Sequence, residues 1–154
     1  ENHFGSDHVA LLLASLRRLT GRDLVDRQLP MVEQARRIFY APFAVLSHNC
    51  AADPILNYGN RVAMELFELS WQELIRTPSR LTAEPVRRDE RERLLDAVRR
   101  HGFIDDYCGV RVSQSGRRFY IETATVWNVM DEAGARYGQA ATFSAWKHVD
   151  AEIR

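Results

Sequence analysis

Tyr107, Gly109 and Arg111 alternate with Cys108, Val110 and Val112. A strand here would put a phenol, a gap and a guanidinium on one face, and a thiol with two apolar side chains on the other. A guanidinium offers a rigid fork of donors that matches a carboxylate or phosphate, so such a face can hold an anion. An arginine in a strand otherwise suited to burial also has an ordinary solution, because an unpaired buried charge is strongly unfavourable. An internal salt bridge to Glu122, Asp105 or Asp106 is therefore the expectation for Arg111, with an anionic ligand as the functional alternative. A three-residue hairpin loop over Gln114, Ser115 and Gly116 sets Arg111 opposite Ile121, on a face shared with Thr123, Thr125 and Trp127. A two-residue loop sets it beside Tyr120 and near Glu122, and the sequence leaves both registers open.

Gln139 stands among Gly138, Ala140 and Ala141, where a carboxamide has room to donate to and accept from a ligand. The structural reading of the same residues is that they let a helix approach a sheet closely. Trp127 and Tyr107 can wall an apolar pocket, or fill a core as aromatic residues at strand spacing ordinarily do. With Asn57 and Tyr58 they complete a candidate ligand-binding set of Tyr107, Arg111, Trp127, Gln139, Asn57 and Tyr58, suited to a small anionic or aromatic ligand.

Other chemistry is poorly supplied. His48, Cys50 and Asp53 form the one compact group of metal-ligand types, but their spacing matches no zinc signature, and no metal is expected. Asp105 and Asp106 are adjacent in a predicted strand, so their carboxylates point to opposite faces and cannot act on one bond. No G-x-S-x-G, phosphate-binding loop, dinucleotide glycine fingerprint or HExxH occurs, and no catalytic residue is assigned. An enzyme is not expected. The 154 residues are 45% hydrophobic and 27% charged with a formal net charge of zero, the profile of one globular domain without the field that draws nucleic acid. The two cysteines, Cys50 and Cys108, make no CxxC pair, and no apolar run is long enough to span a membrane. A cytoplasmic protein binding neither nucleic acid nor membrane is the expectation.

The elements that must position these residues follow from periodicity. Val9, Leu12, Leu13, Leu16 and Leu19 lie at helical spacing, with Ser6 or Asp7 placed to cap the start and Gly21 to end the helix. A second helix fits Pro30 to Tyr40, and residues 43–48 and 55–58 read as a strand pair around turn-forming residues. Asn60 caps a short helix, and Ser70 with Glu73 forms a capping box for another. After a proline-containing loop from Thr77 to Pro85, Arg87 to His101 is the clearest helix, with Leu94, Leu95 and Val98 as its buried side. Beyond Gly102 the period becomes two, and residues 103–113, 117–130 and 136–146 read as three antiparallel strands joined by hairpins.

Two strands, a group of helices and a three-stranded meander resemble a PAS domain. At residue level the chain is similar to the MEKHLA family, on Arg18-Leu-Thr-Gly-Arg-Asp-Leu24, Ala52 to Asn60, Pro78 to Pro85, Gly102 to Tyr107, Thr125-Val-Trp-Asn128 and Gly138 to Phe143. The resemblance implies an α+β fold: a PAS-like five-stranded antiparallel sheet with helices on one face and extra N-terminal helices. Residues 1–42 would form a helical extension packed on the core, 43–148 the PAS-like core, and 149–154 a tail. It further implies a ligand-binding sensor, with a ligand-free dimerisation or protein-interaction module as the alternative; a homodimer is expected in either case. Some PAS domains hold haem or flavin, but no cofactor is predicted here. The segment Arg61 to Pro85 lacks the cysteine that photosensory flavin-binding relatives use, and His101 reads as a helix-terminal histidine interacting with the dipole rather than as a haem ligand.

Overall fold

The computed structural model describes residues 3–83 and 88–149. The first helix, α1 (Ser6–Thr20), buries Val9, Leu12, Ser15 and Leu16. Its expected cap is corrected: Gly5, in the left-handed region at φ 67°, occupies the N-cap, and Ser6 is already helical. Gly21, also left-handed, closes the other end with its N–H 2.8 Å from the Arg17 carbonyl. Helix α2 (Met31–Phe39) follows Pro30, and strands β1 (Ala44–Asn49) and β2 (Leu56–Gly59) pair antiparallel. Short helices α3 (Arg61–Phe67) and α4 (Trp71–Leu74) come next, the latter carrying both bonds of the Ser70/Glu73 capping box. The long helix α5 is described from Arg88 to His101. Its expected first residue Arg87, the end of the preceding loop and residues 150–154 of the expected tail lie outside the described residues.

Strands β3 (Phe103–Val112), β4 (Arg118–Met130), β5 (Arg136–Phe143) and β6 (Ala145–His148) complete an antiparallel sheet in the order β2-β1-β5-β4-β3, with β6 continuing along β4. The last predicted strand is thus two pieces broken at Ser144, and the sheet has six strands rather than five. The break lies beside Thr123, which takes a φ of 54° within β4. A β-branched residue in the left-handed region marks a local irregularity, and here the alternation of faces slips by one residue. Before it, Phe119 and Ile121 point to one face; after it, Ala124 and Val126 do, while Trp127 and Val129 pack into the opposite one.

The sheet consequently has two differently covered faces. On the outer face, Val45, Tyr58, Trp127, Val129 and Ala140 pack against Val9, Leu12 and Leu16 of α1 and Ala35 and Ile38 of α2. On the inner face, Ala44, Leu56, Phe119, Ile121 and Phe143 pack against Ala63, Leu66 and Phe67 of α3. Asn60 joins the layers. It is fully buried, and its Oδ1 accepts from Val45 N–H at 3.0 Å and Ala63 N–H at 3.1 Å, while its amide donates to the Ile38 and Phe43 carbonyls at 2.9 and 2.8 Å. The N-cap expected from sequence therefore also ties α2, β1 and α3 together through every bond a carboxamide readily makes.

Candidate ligand cavity

Between α5, the loop before it and the inner sheet face lies a cavity with about 60 Å³ of free space that opens in part to solvent. Its walls are mainly apolar, with Leu46 and Leu56 from the first hairpin, Phe67 from α3, Ile121 and Val126 from β4, and Phe143 from β5. An apolar lining with a few convergent polar groups is the make-up of small-molecule sites.

Two guanidiniums project into it. Arg111 is held at its place by pairing of β3 with β4, where it stands opposite Phe119 and Val112 opposite Arg118. The hairpin closes over the expected three residues, with Ser113 N–H bonding the Arg117 carbonyl at 2.8 Å, but that loop sets Arg111 opposite Phe119 rather than opposite Ile121 or beside Tyr120. The guanidinium lies over the Tyr107 ring, 5.2 Å from its centroid. Gly109 makes this possible, since a Cβ there would stand 2.5 Å from the Tyr107 hydroxyl. The residue keeps partial exposure, but burial of its charged end lowers its pKa, opposed by its contact with Tyr107. The expected salt bridge does not form among the described residues: Glu122 pairs instead with Lys147 at 3.5 Å, and Asp105 and Asp106 lie exposed on the edge strand.

The second guanidinium was not anticipated. Arg91, on the first half of α5, is only 6% exposed and donates to the Ser79 hydroxyl. Burial, and next the charge of Arg111, push its pKa down to about 10, so it remains a cation at neutral pH. Two like charges thus face one enclosed space. The signal for Arg91 was present in the sequence: it stands one turn before Leu94 and Leu95 and two before Val98, on the apolar stripe of the helix. In a helix rich in exposed ion pairs it reads as one more solvated charge; Asp96 does bond both Arg99 and Arg100 on the outer side.

Gln139 and His48 form the polar end. They are opposite one another across β5 and β1, and a side chain at Gly138 would strike the His48 carbonyl, so glycine there permits the close approach of the two strands. The Gln139 amide donates to the Leu95 carbonyl at 3.3 Å and to Asn128 Oδ1 at 3.0 Å, while Asn128 donates to the Val98 carbonyl at 2.9 Å. These two carboxamides pin α5 to the sheet, so the structural role read for the small residues around Gln139 and its place in the cavity coexist. His48 Nδ1 lies 2.7 Å from the Asn49 carbonyl, and burial, only partly offset by that bond and by contact with Gln139, lowers the imidazole pKa to about 4.

Of the candidate residues, Tyr107, Arg111 and Gln139 are brought together, and Trp127, Asn57 and Tyr58 are not. Trp127 is fully buried on the outer face with Nε1 donating to the Leu12 carbonyl at 3.1 Å. The slip at Thr123 is the reason: counting by twos from Arg111 across the hairpin puts Trp127 on the wrong side. Tyr58 belongs to the same outer core, and Asn57 Oδ1 accepts from the Ser47 hydroxyl at 2.6 Å. Beside the cavity, a polar depression shares His48, Arg91, Leu95 and Gln139 with it and adds Arg99 and Arg136, giving the cavity a basic approach.

Residues 6–148 match the MEKHLA domain family. No curated protein matches the sequence. Among solved structures, the PAS domain of a protein from Colwellia psychrerythraea superimposes with a TM-score of 0.61 at 16% identity, over 76% of this chain and 94% of that one. A fungal LOV domain photoreceptor gives 0.60 at 13% identity, over 92% of this chain and 91% of that one. An RNA-binding light-oxygen-voltage receptor gives 0.63 at 18% identity, over 85% of this chain but 36% of the receptor. At these identities the likeness is one of fold, and the fold is PAS-like.

Proposed function

The chain belongs to the MEKHLA domain family, and from that premise we propose that it is a sensory module that binds a small carboxylate or similar anion between α5 and the inner sheet face, with no reaction of its own. One observation carries the reading: Arg91 and Arg111 share a mostly apolar cavity, and among the described residues no carboxylate pairs with either. Like charges that share a cavity oppose folding, and an anion entering between them would relieve the repulsion and give both guanidiniums a charged partner. The apolar wall gives the ligand's body its place, and the Tyr107 hydroxyl and Ser79 lie among the lining groups. Binding an anion at the junction of α5, β3 and β5 would couple ligand to the elements that frame the sheet.

Native mass spectrometry of freshly purified protein is expected to show a retained small acid, and the same spectrum reads whether the chain is a homodimer. Absorbance above the aromatic band would instead indicate haem or flavin. Arg111→Gln supplies the sharper test. With the uncompensated charge removed, the ligand-free variant should be as stable as the wild type or more so, while stabilisation by added carboxylates is lost. A ligand-free Arg111→Gln protein that unfolds far more readily, together with a wild type indifferent to every carboxylate tried, would return Arg111 to a purely structural role.

A further inference from the structure

We propose that the anion taken by this cavity also carries a hydroxyl group near its charge, making the ligand class an α-hydroxycarboxylate with an apolar tail, whose O–H is donated to His48 Nε2. The inference rests on the carboxylate reading above and adds a requirement that reading does not contain.

His48 is only 8% exposed and lines both the cavity and its basic approach. A backbone carbonyl only accepts, so the ring nitrogen facing the Asn49 carbonyl, Nδ1, must carry the proton. A neutral imidazole then has a lone pair on Nε2, and the depressed pKa keeps it neutral at physiological pH. That Nε2 is buried and has no hydrogen-bond partner. Gln139 does contact the His48 ring, but both of its N–H groups are engaged, with Leu95 and Asn128, so the contact brings the ring only the acceptor Oε1 and no donor for Nε2. A buried acceptor without a donor is unfavourable, and a ligand donor would recover that loss.

The kind of donor is restricted by charge. Arg91 and Arg136 both act on His48 as nearby cations, so an ammonium would enter against two like charges, whereas a hydroxyl brings a donor without one. Its position is restricted as well. Arg91 and His48 both line the cavity and its approach, and Arg91 is near enough for its charge to act on the imidazole, which favours a hydroxyl close to the carboxylate.

Calorimetric titration of the full chain with phenyllactate, phenylpropionate and phenylalanine, and with α-hydroxyhexanoate, hexanoate and norleucine, varies only the group beside the carboxylate on an aromatic and a linear skeleton. The hydroxy acid is expected to bind roughly tenfold more tightly than the unsubstituted acid, with the amino acid weakest. In His48→Leu the ratio of hydroxy to unsubstituted acid should collapse toward one. Equal affinity of hydroxy and unsubstituted acids in the wild type, or preference for the amino acid, overturns the hydroxyl requirement while leaving the carboxylate reading standing. Binding of none of the acids on either skeleton overturns the carboxylate reading, and the requirement with it. The wild-type comparison decides the matter even if His48→Leu fails to fold.

Discussion

The two faces of this sheet handle polar groups in opposite ways. On the outer face, buried polar side chains complete one another: Tyr137 and Ser47 lie 3.1 and 2.9 Å from the two ring nitrogens of His8, and Ser47 in turn bonds Asn57. Because the Ser47 proton goes to Asn57 Oδ1, Ser47 must accept from His8 Nε2–H, which leaves Nδ1 to accept from the Tyr137 hydroxyl. The chain of donors is closed. Ser15 likewise bonds Met130 N–H at 2.9 Å, and Arg22 bonds Thr125 at 2.9 Å. On the inner face, Arg91, Arg111 and His48 stand around one space, the two guanidiniums without a carboxylate partner among the described residues and the His48 acceptor unfilled. A face whose polar groups are mutually satisfied holds the fold together; one whose groups await a partner is built for something else.

Trp127→Ala should show the largest difference between the faces. The side chain is fully buried among α1 and the outer strands, so its removal is expected to destabilise by about 3–5 kcal/mol. Urea unfolding measures this, and a carboxylate titration on the folded fraction should find binding little changed. A Trp127→Ala protein of near-native stability that no longer binds would mean that the outer face, not the inner one, forms the site.

Acid distinguishes the faces less strongly. Burial lowers the pKa of both His8 and His48 from 6.5 to about 4, so between these values the unfolded chain binds more protons than the folded one. The sign is then fixed: their contribution is complete above about pH 6.5 and is lost as pH falls toward 4, with each histidine worth roughly 2 kcal/mol by about pH 5. His8→Gln should remove the outer-face share and leave the His48 share. Unfolding free energies at neutral and mildly acidic pH test this, and a flat profile across the window would contradict the burial of both rings.

How far the sequence revealed these faces depends on the kind of signal each residue leaves. Helix and strand order was legible because the apolar period changes cleanly at Gly102, and Asn60 and the Ser70/Glu73 pair were legible because capping is a local interaction. The face of Trp127 was not legible. Its assignment rests on counting by twos, and a threonine at positive φ leaves no mark in the sequence that the count has slipped. The break at Ser144, which makes a sixth strand, belongs to the same irregularity. Arg111 was identified as a charge in need of a partner, and the three-residue loop was among the expected turns, but that loop places Arg111 opposite Phe119 rather than Ile121. Arg91 was hidden among many exposed arginines. The idle Nε2 of His48 depends on which carbonyl faces the other nitrogen, a property of three-dimensional packing alone.

The smallest expected effect probes an exception to the comparison. Tyr58 belongs to the outer core and is 2% exposed, yet its hydroxyl has no hydrogen-bond partner among the described residues, and burial raises its pKa. The ring is held edge-on to Trp71 with centroids 6.2 Å apart and lies beside the His8 imidazole at 5.8 Å, so its packing does not depend on the hydroxyl. It also borders a crevice between Phe4, Phe39 and Trp71 that is wide enough to admit water. If the crevice is dry around the hydroxyl, Tyr58→Phe removes an unsatisfied polar atom and should leave stability unchanged or raise it by up to about 1 kcal/mol. If the variant instead loses about 1 kcal/mol or more, a water bonded to Tyr58 is part of the outer face. Either result is read from the same urea curves, and the loss would extend the satisfied network of that face to its last buried hydroxyl.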